Sequence, residues 1–211
     1  MATQAQLAGR PARAATRAGE GVLAQRVAGT FLLALAAGFL TVIMLAASMV
    51  EGYDYSAAAI SDLGTIPETA LLFNATLVVM GVLNVAGGYL YYLAHRRLWV
   101  LTIFVLASIG ALGAGIFPLN VSDLHSIFAL LAFVFFNLEA IAVAVLLHGT
   151  MRVLAAVAGL VGMVYVVIMV IGDSGNPAVF GAIGHGGAER MIAYPAMLWL
   201  IAFGGYLLGA P

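Results

Sequence analysis

The polar side chains that could carry chemistry lie in three segments between long apolar runs of this sequence. The longest segment, residues 53–74, contains Asp62, which the apolar residues Ile60 and Leu63 flank. A carboxylate held at the boundary of an apolar phase needs a partner, so Asp62 is a candidate ligand-binding or catalytic group. Asn74 ends the segment, and we expect its amide either to join this site or to bond a neighbouring helix.

The second polar segment separates two apolar runs and includes Ser122, Asp123 and His125. Ser122 is a good helix cap, and Asp123 suits the positive end of a helix. His125 follows in the first turn, where it shares a surface with several carboxylates. We therefore treat His125 as a candidate ligand-binding residue that could act with Asp62 as acid and base.

The third polar segment supplies the ligand-binding candidates Asp173, His185, Glu189 and Arg190. Arg190 is notable because it stands among acidic residues, away from the other arginines. It can pair with Asp62 or Asp173, or hold a lipid phosphate through two hydrogen bonds. A pure salt bridge within the protein remains the alternative to a ligand site.

Glu139 lies inside an apolar run, 14 residues after His125 and so about 21 Å deeper along a helix. An ionisable group at that depth needs an inward-facing partner. The candidate partners are Asn84, Tyr89, Tyr91 and Tyr165. Glu139 is then either a relay for protons or ions, or a hydrogen-bonding group between helices.

Composition places these residues in a membrane protein. Of 211 residues, 64% are hydrophobic and 8% are charged, against about 25% charged residues in soluble domains. There is no cysteine, which excludes disulfides and thiolate metal sites, and no lysine, which excludes a retinal or pyridoxal Schiff base. The histidines lack the spacing of known zinc motifs, so we predict no metal and no cofactor.

The apolar runs predict an all-α fold, a polytopic bundle of six transmembrane helices over residues 27–211. The spans are predicted at residues 27–50, 68–94, 98–117, 124–147, 152–172 and 190–209. Residues 1–26 are predicted to form a cytoplasmic N-terminal tail. Thr65 and Glu68 have the form of a capping box before the second span, and Gly205 and Gly209 match a helix-packing spacing.

Charge predicts the orientation of this bundle. Seven of the eight arginines fall on one side of the predicted spans, and most acidic residues fall on the other. The positive-inside rule then makes both termini cytoplasmic and turns the acidic connections outward, in the cell membrane. The outward connections are also the longer ones, and long loops on a rigid scaffold tend to carry function.

Three groups of residues resemble the motifs of a known family. They are Ser56 with residues 60–64 and 73–74, residues 115–118 followed by His125, and Glu189 with Arg190. Together they resemble the uncharacterised archaeal and bacterial membrane family called domain of unknown function 998, over about residues 27–209. The first group is also distantly similar to the Frag/DRAM/Sfk membrane family, which implies a connection with lipids by analogy alone.

Three functions are compatible with these observations. The first is a protein that binds or handles lipid headgroups at an outward polar site, with an enzyme acting on lipid as a variant that lacks an evident nucleophile. The second is an accessory membrane subunit without chemistry. The third is an ion-coupled transporter that uses Glu139. We expect membrane lipids as partners, with a homo-oligomer or another membrane protein as alternatives, and no nucleic acid.

Overall fold

Six long α-helices form the protein in the computed structural model, which describes residues 4–209 and the side chains of residues 19–209. The helices are α1 (Gln4–Ser48), α2 (Ala70–His95), α3 (Leu98–Ile116), α4 (Leu124–Leu146), α5 (Gly149–Asp173) and α6 (Gly184–Leu208). Each includes an apolar stretch long enough to cross a membrane. The predicted all-α fold with six spans is therefore confirmed.

The first helix is longer than the span predicted for it. It begins at Gln4 and continues without a break through residue 26, the predicted end of the tail. Its apolar part covers Gly19–Ser48. The side chains of Arg10, Arg13 and Arg17 lie outside the described residues, so a separate cytoplasmic tail stays a prediction.

The helices form a closed ring in which each packs against the next along the chain and α6 returns to α1. A smaller contact joins α4 and α6 across the ring. Phe104 of α3 and Phe203 of α6 are fully buried, as is Leu32 of α1. The apolar core therefore runs through the middle of the ring and is shared by all its sides.

A pair of glycines lets α1 and α6 approach closely. A Cβ on Gly29 would lie 2.6 Å from the carbonyl oxygen of Gly204, and a Cβ on Gly204 would lie 2.7 Å from that of Gly29. The packing predicted from Gly205 and Gly209 is wrong, because nothing lies within 4 Å of a Cβ on Gly205. The glycine of α6 that packs closely is the neighbouring Gly204, which lies on the face of the helix that meets α1.

The bundle has two different ends. At one, the turn end, Arg96 and Arg97 join α2 to α3, and a similarly short turn joins α4 to α5. At the other, the loop end, lie the connection from α1 to α2 and the segment before α6, which contain the short 3₁₀ helices Ser61–Gly64 and Pro177–Ile183. Basic residues collect at the turn end and acidic residues at the loop end; which end faces the cytoplasm stays a prediction.

The capping box predicted at the start of α2 is wrong. The helix begins at Ala70, later than Thr65 and Glu68 would place it. The Thr65 hydroxyl instead donates to the carbonyl of Asp62, at 2.8 Å, and the buried Thr69 hydroxyl donates to that of Leu63, at 2.7 Å. Both threonines bond back to the 3₁₀ turn, so they stabilise the loop.

The last helix begins six residues earlier than predicted, at Gly184. The glycines there allow either close backbone approach or a hinge, and the structure shows the close approach, because Gly186 is helical and its N–H donates to the carbonyl of Ser56 at 2.9 Å. A Cβ on Gly186 would lie 2.1 Å from the carbonyl oxygen of Ala58. Glycine is needed because the backbone of the first loop rests directly on this turn.

Candidate functional site

Arg190 fastens the first loop to α6. Its Nη1 donates to the carbonyls of Tyr55, Ala58 and Gly186 at 2.9, 2.8 and 2.8 Å, and its Nη2 donates to the Tyr53 hydroxyl at 2.9 Å. The rings of Tyr53 and Tyr55 also lie near the guanidinium, at 5.6 and 4.9 Å. Arg190 is 8% exposed, so this cation is enclosed by the loop.

Tyr53 takes part in the same anchor as both donor and acceptor. Besides accepting from Arg190, its hydroxyl donates to the carbonyl of Ala59 at 2.8 Å. Burial raises the pKa of the Tyr53 hydroxyl above its ordinary value of 10.0, and the neighbouring Arg190 partly opposes that shift. The phenol therefore stays protonated and can keep both hydrogen bonds at neutral pH.

Glu189 holds the next part of the loop. Its Oε2 accepts a hydrogen bond from the N–H of Ile60, and its Oε1 accepts one from the Ser61 hydroxyl at 3.3 Å. The side chain is 4% exposed. The adjacent residues Glu189 and Arg190 thus bind two successive stretches of the same loop.

Neither predicted ion pair of Arg190 forms within the described residues. Asp62 accepts from the N–H of Ala59 at 2.9 Å through its Oδ2. Asp173 instead lies beside His185, with 3.2 Å between Oδ1 and Nε2. The guanidinium bonds to backbone carbonyls because the loop folds over α6 and brings those carbonyls closer to it than either carboxylate.

His125 links α4 to the end of α3. Its Nδ1 lies 3.0 Å from the carbonyl oxygen of Ala114 and 2.9 Å from that of Phe117. A carbonyl only accepts, so Nδ1 carries the hydrogen, and Nε2 of the neutral ring is left as an acceptor. Nε2 makes no hydrogen bond within the described residues, although the side chain is only 3% exposed.

A cavity of about 510 Å³, which we call the wide cavity, opens at the loop end between the first loop and α4, α5 and α6. It is bordered by five of the seven predicted ligand-binding residues, namely Asp62, His125, Asp173, His185 and Glu189. Ser61, Ser126 and Ser174 add hydroxyl groups to its wall. The wide cavity therefore gathers most of the polar residues predicted to form one site.

A second, much smaller space of about 60 Å³, the narrow cavity, continues from it toward the centre of the ring. The two cavities share Ser61, His125, Ala129, Phe133 and Glu189 as lining residues. Elsewhere the narrow cavity is lined by apolar side chains and one amide, that of Asn137. His125 and Glu189 thus stand at the junction of a polar chamber and an apolar one.

Asn74 and Arg190 lie outside this group, because neither borders the two cavities. The Asn74 amide donates to the carbonyl of Gly64 at 3.0 Å. It therefore ties the 3₁₀ turn to α2 and does not bond a neighbouring helix, which was the expected alternative to a site role.

Glu139 lies away from the loop end, fully buried among three helices. Its Oε1 accepts from the Asn84 amide at 2.7 Å, which confirms Asn84 among the predicted partners. The same amide nitrogen lies 3.2 Å from the Ser108 hydroxyl and 3.2 Å from the Phe104 carbonyl. Glu139 thus joins α4 to α2, as a hydrogen-bonding group between helices would, and Asn84 joins α2 to α3.

Sequence reasoning missed Tyr53 as a partner of Arg190 and Ser108 as a partner of the Asn84 amide. Tyr53 sits two residues from Tyr55 in a segment rich in small residues, which was the one available signal. Ser108 lies in a run of small and apolar residues and gave none. The described residues contain no group of three His, Cys, Asp or Glu side chains placed to hold a metal ion.

Six apolar helices and a polar cavity at one end of the bundle define a multi-pass membrane protein. The chain belongs to the family described as protein of unknown function (DUF998), whose pattern matches residues 32–206. Comparison with the curated proteins and with the solved structures found no match. The distant similarity to the Frag/DRAM/Sfk family therefore stays a prediction.

Proposed function

We propose that this protein binds a lipid of the cell membrane by its headgroup, which enters the wide cavity while the acyl chains stay in the bilayer. The observation that carries the proposal is a cavity of about 510 Å³ in a membrane-spanning bundle, bordered by carboxylates, histidines and serines as well as apolar side chains. Pockets for small ligands commonly measure about 300–1,000 Å³. The wide cavity therefore has room for a headgroup of ordinary size.

The rim of the wide cavity supports access from the membrane. Leu130 of α4 and Val170 of α5 line the cavity and are 43% and 46% exposed. Exposed apolar side chains of a membrane-spanning helix face acyl chains. A lipid next to α4 and α5 can therefore insert its headgroup sideways without leaving the bilayer.

The narrow cavity argues against a site that encloses an acyl chain. Its volume of about 60 Å³ is small, since a single water already needs about 10–15 Å³ measured in this way. A chain of many methylene groups does not fit. The ligand is therefore held at its polar head, and its apolar part lies against the outside of the bundle.

Two earlier expectations do not enter this proposal. Arg190 does not supply a phosphate contact, because the first loop already occupies its Nη1 and Nη2 groups. Glu139 does not border either cavity, so the structure offers no support for a path that joins it to the site.

The experiment tests whether blocking the cavity removes bound lipid. Ala129 lines both cavities five residues after the start of α4, and Ala129→Trp places an indole at their junction. Ala75 lies five residues after the start of α2 and is exposed, outside both cavities, so Ala75→Trp is the matched control. Each variant is purified in the same mild detergent, and retained lipid is measured per mole of protein by mass spectrometry.

We expect Ala129→Trp to lose the retained lipid that wild type and Ala75→Trp keep, while all three proteins elute as the same folded species. Equal lipid in both variants and wild type would refute the proposal. That result would favour the accessory role, which the structure also supports through Glu189 and Arg190, since both serve to fix the first loop.

A further inference from the structure

We propose that the head group bound in the wide cavity is a primary ammonium group carried on a long apolar chain. This inference rests on the proposed lipid-binding function and goes further by naming the chemistry of the head. It differs from the phosphate contact that Arg190 suggested in the sequence. The argument depends on which atoms the cavity offers and which it lacks.

The first step concerns a ring nitrogen of His125, which lines both cavities and makes no hydrogen bond to the described residues through its Nε2. Nδ1 of His125 is taken by the carbonyls of Ala114 and Phe117, so Nε2 is the ring atom available for a ligand. The side chain lines both cavities and is 3% exposed. In the neutral ring Nε2 accepts a hydrogen bond, so a ligand that brings an N–H group into the cavity can donate to it.

The second step concerns charge. Asp62, Asp173 and Glu189 place three carboxylates on the wall of the wide cavity, and no described arginine lines it. The other ionisable groups on the wall are the two histidines: His185 lies beside Asp173, and Nδ1 of His125 already faces two backbone carbonyls. A carboxylate only accepts hydrogen bonds and has about four sites for them, so the carboxylates can also receive a ligand donor.

The third step compares head groups. A primary ammonium carries one positive charge and three N–H donors, which match Nε2 and the carboxylates. A phosphate carries negative charge and acceptors, so it would meet like charge and leave Nε2 without a donor. Arg190 does not line the cavity and faces the carbonyls of the loop, so it cannot compensate a phosphate.

Two kinds of membrane molecule could supply such an ammonium head group. One is an aminophospholipid of the bilayer, whose ethanolamine nitrogen would enter the cavity while its phosphate stays at the rim. The other is a free long-chain amine dissolved in the membrane. The shared chemistry is the ammonium on an apolar chain, and the experiment separates the sources.

The test uses the full chain in nanodiscs of phosphatidylcholine that contain a minor fraction of either phosphatidylethanolamine or phosphatidylglycerol. Lipid released with the protein is counted by native mass spectrometry. In parallel, dodecylammonium chloride and dodecyl phosphate are titrated separately into detergent-solubilised protein, and binding is followed by the shift in melting temperature.

The variant Asp62→Asn removes one charge but keeps an oxygen that can accept from the N–H of Ala59. Glu68→Gln is the matched control, because Glu68 belongs to the same loop, is exposed and does not line the cavity. If Asp62→Asn fails to fold, Asp173→Asn replaces it, since that side chain is 55% exposed.

We expect phosphatidylethanolamine to bind in preference to phosphatidylglycerol, and Asp62→Asn to weaken that binding about tenfold, as for a hydrogen bond to a charged group. Glu68→Gln should leave it unchanged. Binding of dodecylammonium without phosphatidylethanolamine supports the inference with a free amine as the source.

Equal or stronger binding of phosphatidylglycerol or dodecyl phosphate overturns the inference. Equal weakening by Asp62→Asn and Glu68→Gln overturns it too, because general surface charge would then explain the preference. In both cases lipid is still bound and is still lost in Ala129→Trp, so the proposed function stands. If neither lipid binds above phosphatidylcholine and Ala129→Trp has no effect, the proposed function has failed as well.

Discussion

Replacing Arg190 by alanine should release the first loop from α6 and lower the stability of the whole bundle. The guanidinium lies among three backbone carbonyls and one phenol, at 2.8–2.9 Å. Nη1 has two hydrogens for its three carbonyls, so Arg190→Ala removes at least three good hydrogen bonds, one of them to Tyr53. The carbonyls of Tyr55 and Ala58 then lose their buried donor.

The size of the effect follows from these bonds. Bonds to a charged donor contribute about 1.5–3 kcal/mol each, but the substitution also removes the cost of burying the charge. We therefore take about 1 kcal/mol per bond, or about 3 kcal/mol in total. For a chain of this length that corresponds to a fall in melting temperature of about 6–12 °C.

The assay is thermal unfolding of the purified protein in detergent, followed by size-exclusion chromatography after heating. Arg152→Ala is the control, since Arg152 is exposed at the turn end and its removal should change the melting temperature by less than about 2 °C. If Arg190→Ala melts as Arg152→Ala does, Arg190 does not anchor the loop, and its hydrogen bonds contribute nothing to the fold.

The remaining predictions concern the interior of the ring. Glu139→Gln keeps an oxygen for the Asn84 amide and should melt within about 2 °C of wild type. Glu139→Ala removes the nearest acceptor of that amide, at 2.7 Å, and leaves a cavity between the helices, so it should lose about 2–4 kcal/mol; equal melting of both variants would contradict this. In Gly110→Ala the new Cβ would lie 2.3 Å from the backbone nitrogen of Ala132. The substitution should therefore push α3 away from α4 and lower the free energy of unfolding by about 1–3 kcal/mol. Gly38→Ala has nothing within 4 Å of its Cβ and should be neutral or stabilise by up to about 1 kcal/mol in the same melting assay; destabilisation by both glycine variants would show that close packing is not the cause.

Hydropathy was enough to predict the number and order of the helices, because each span must satisfy its own backbone within the membrane. The same reasoning predicted that Glu139 would have an inward partner, and Asn84 is that partner. Glycine spacing singled out Gly205 and Gly209 of α6 for helix packing, whereas Gly204 makes the close contact, since spacing alone does not say which face of a helix meets its neighbour. Gly204 could be identified only once α6 was packed against α1.

The residues that border the candidate site could be predicted better than the contacts that they make. Asp62 and His125 do border one cavity, as their position beside helix ends suggested. The partners of Arg190 were not predictable, because they are mainly backbone carbonyls, which every residue possesses and no sequence pattern marks. The tautomer of His125 was not predictable for the same reason, because it follows from the contacts of Nδ1 with the backbone carbonyls of Ala114 and Phe117.

The position of α6 in the ring has a consequence for how the protein is made. The chain emerges from the ribosome with α1 first, yet the glycine face of α1 finds its second neighbour only when the sixth helix arrives. The same late helix brings Glu189 and Arg190, without which the part of the first loop before its 3₁₀ turn lacks its hydrogen bonds to α6. Closure of the ring and completion of the wide cavity therefore coincide, because both require α6 to be in place.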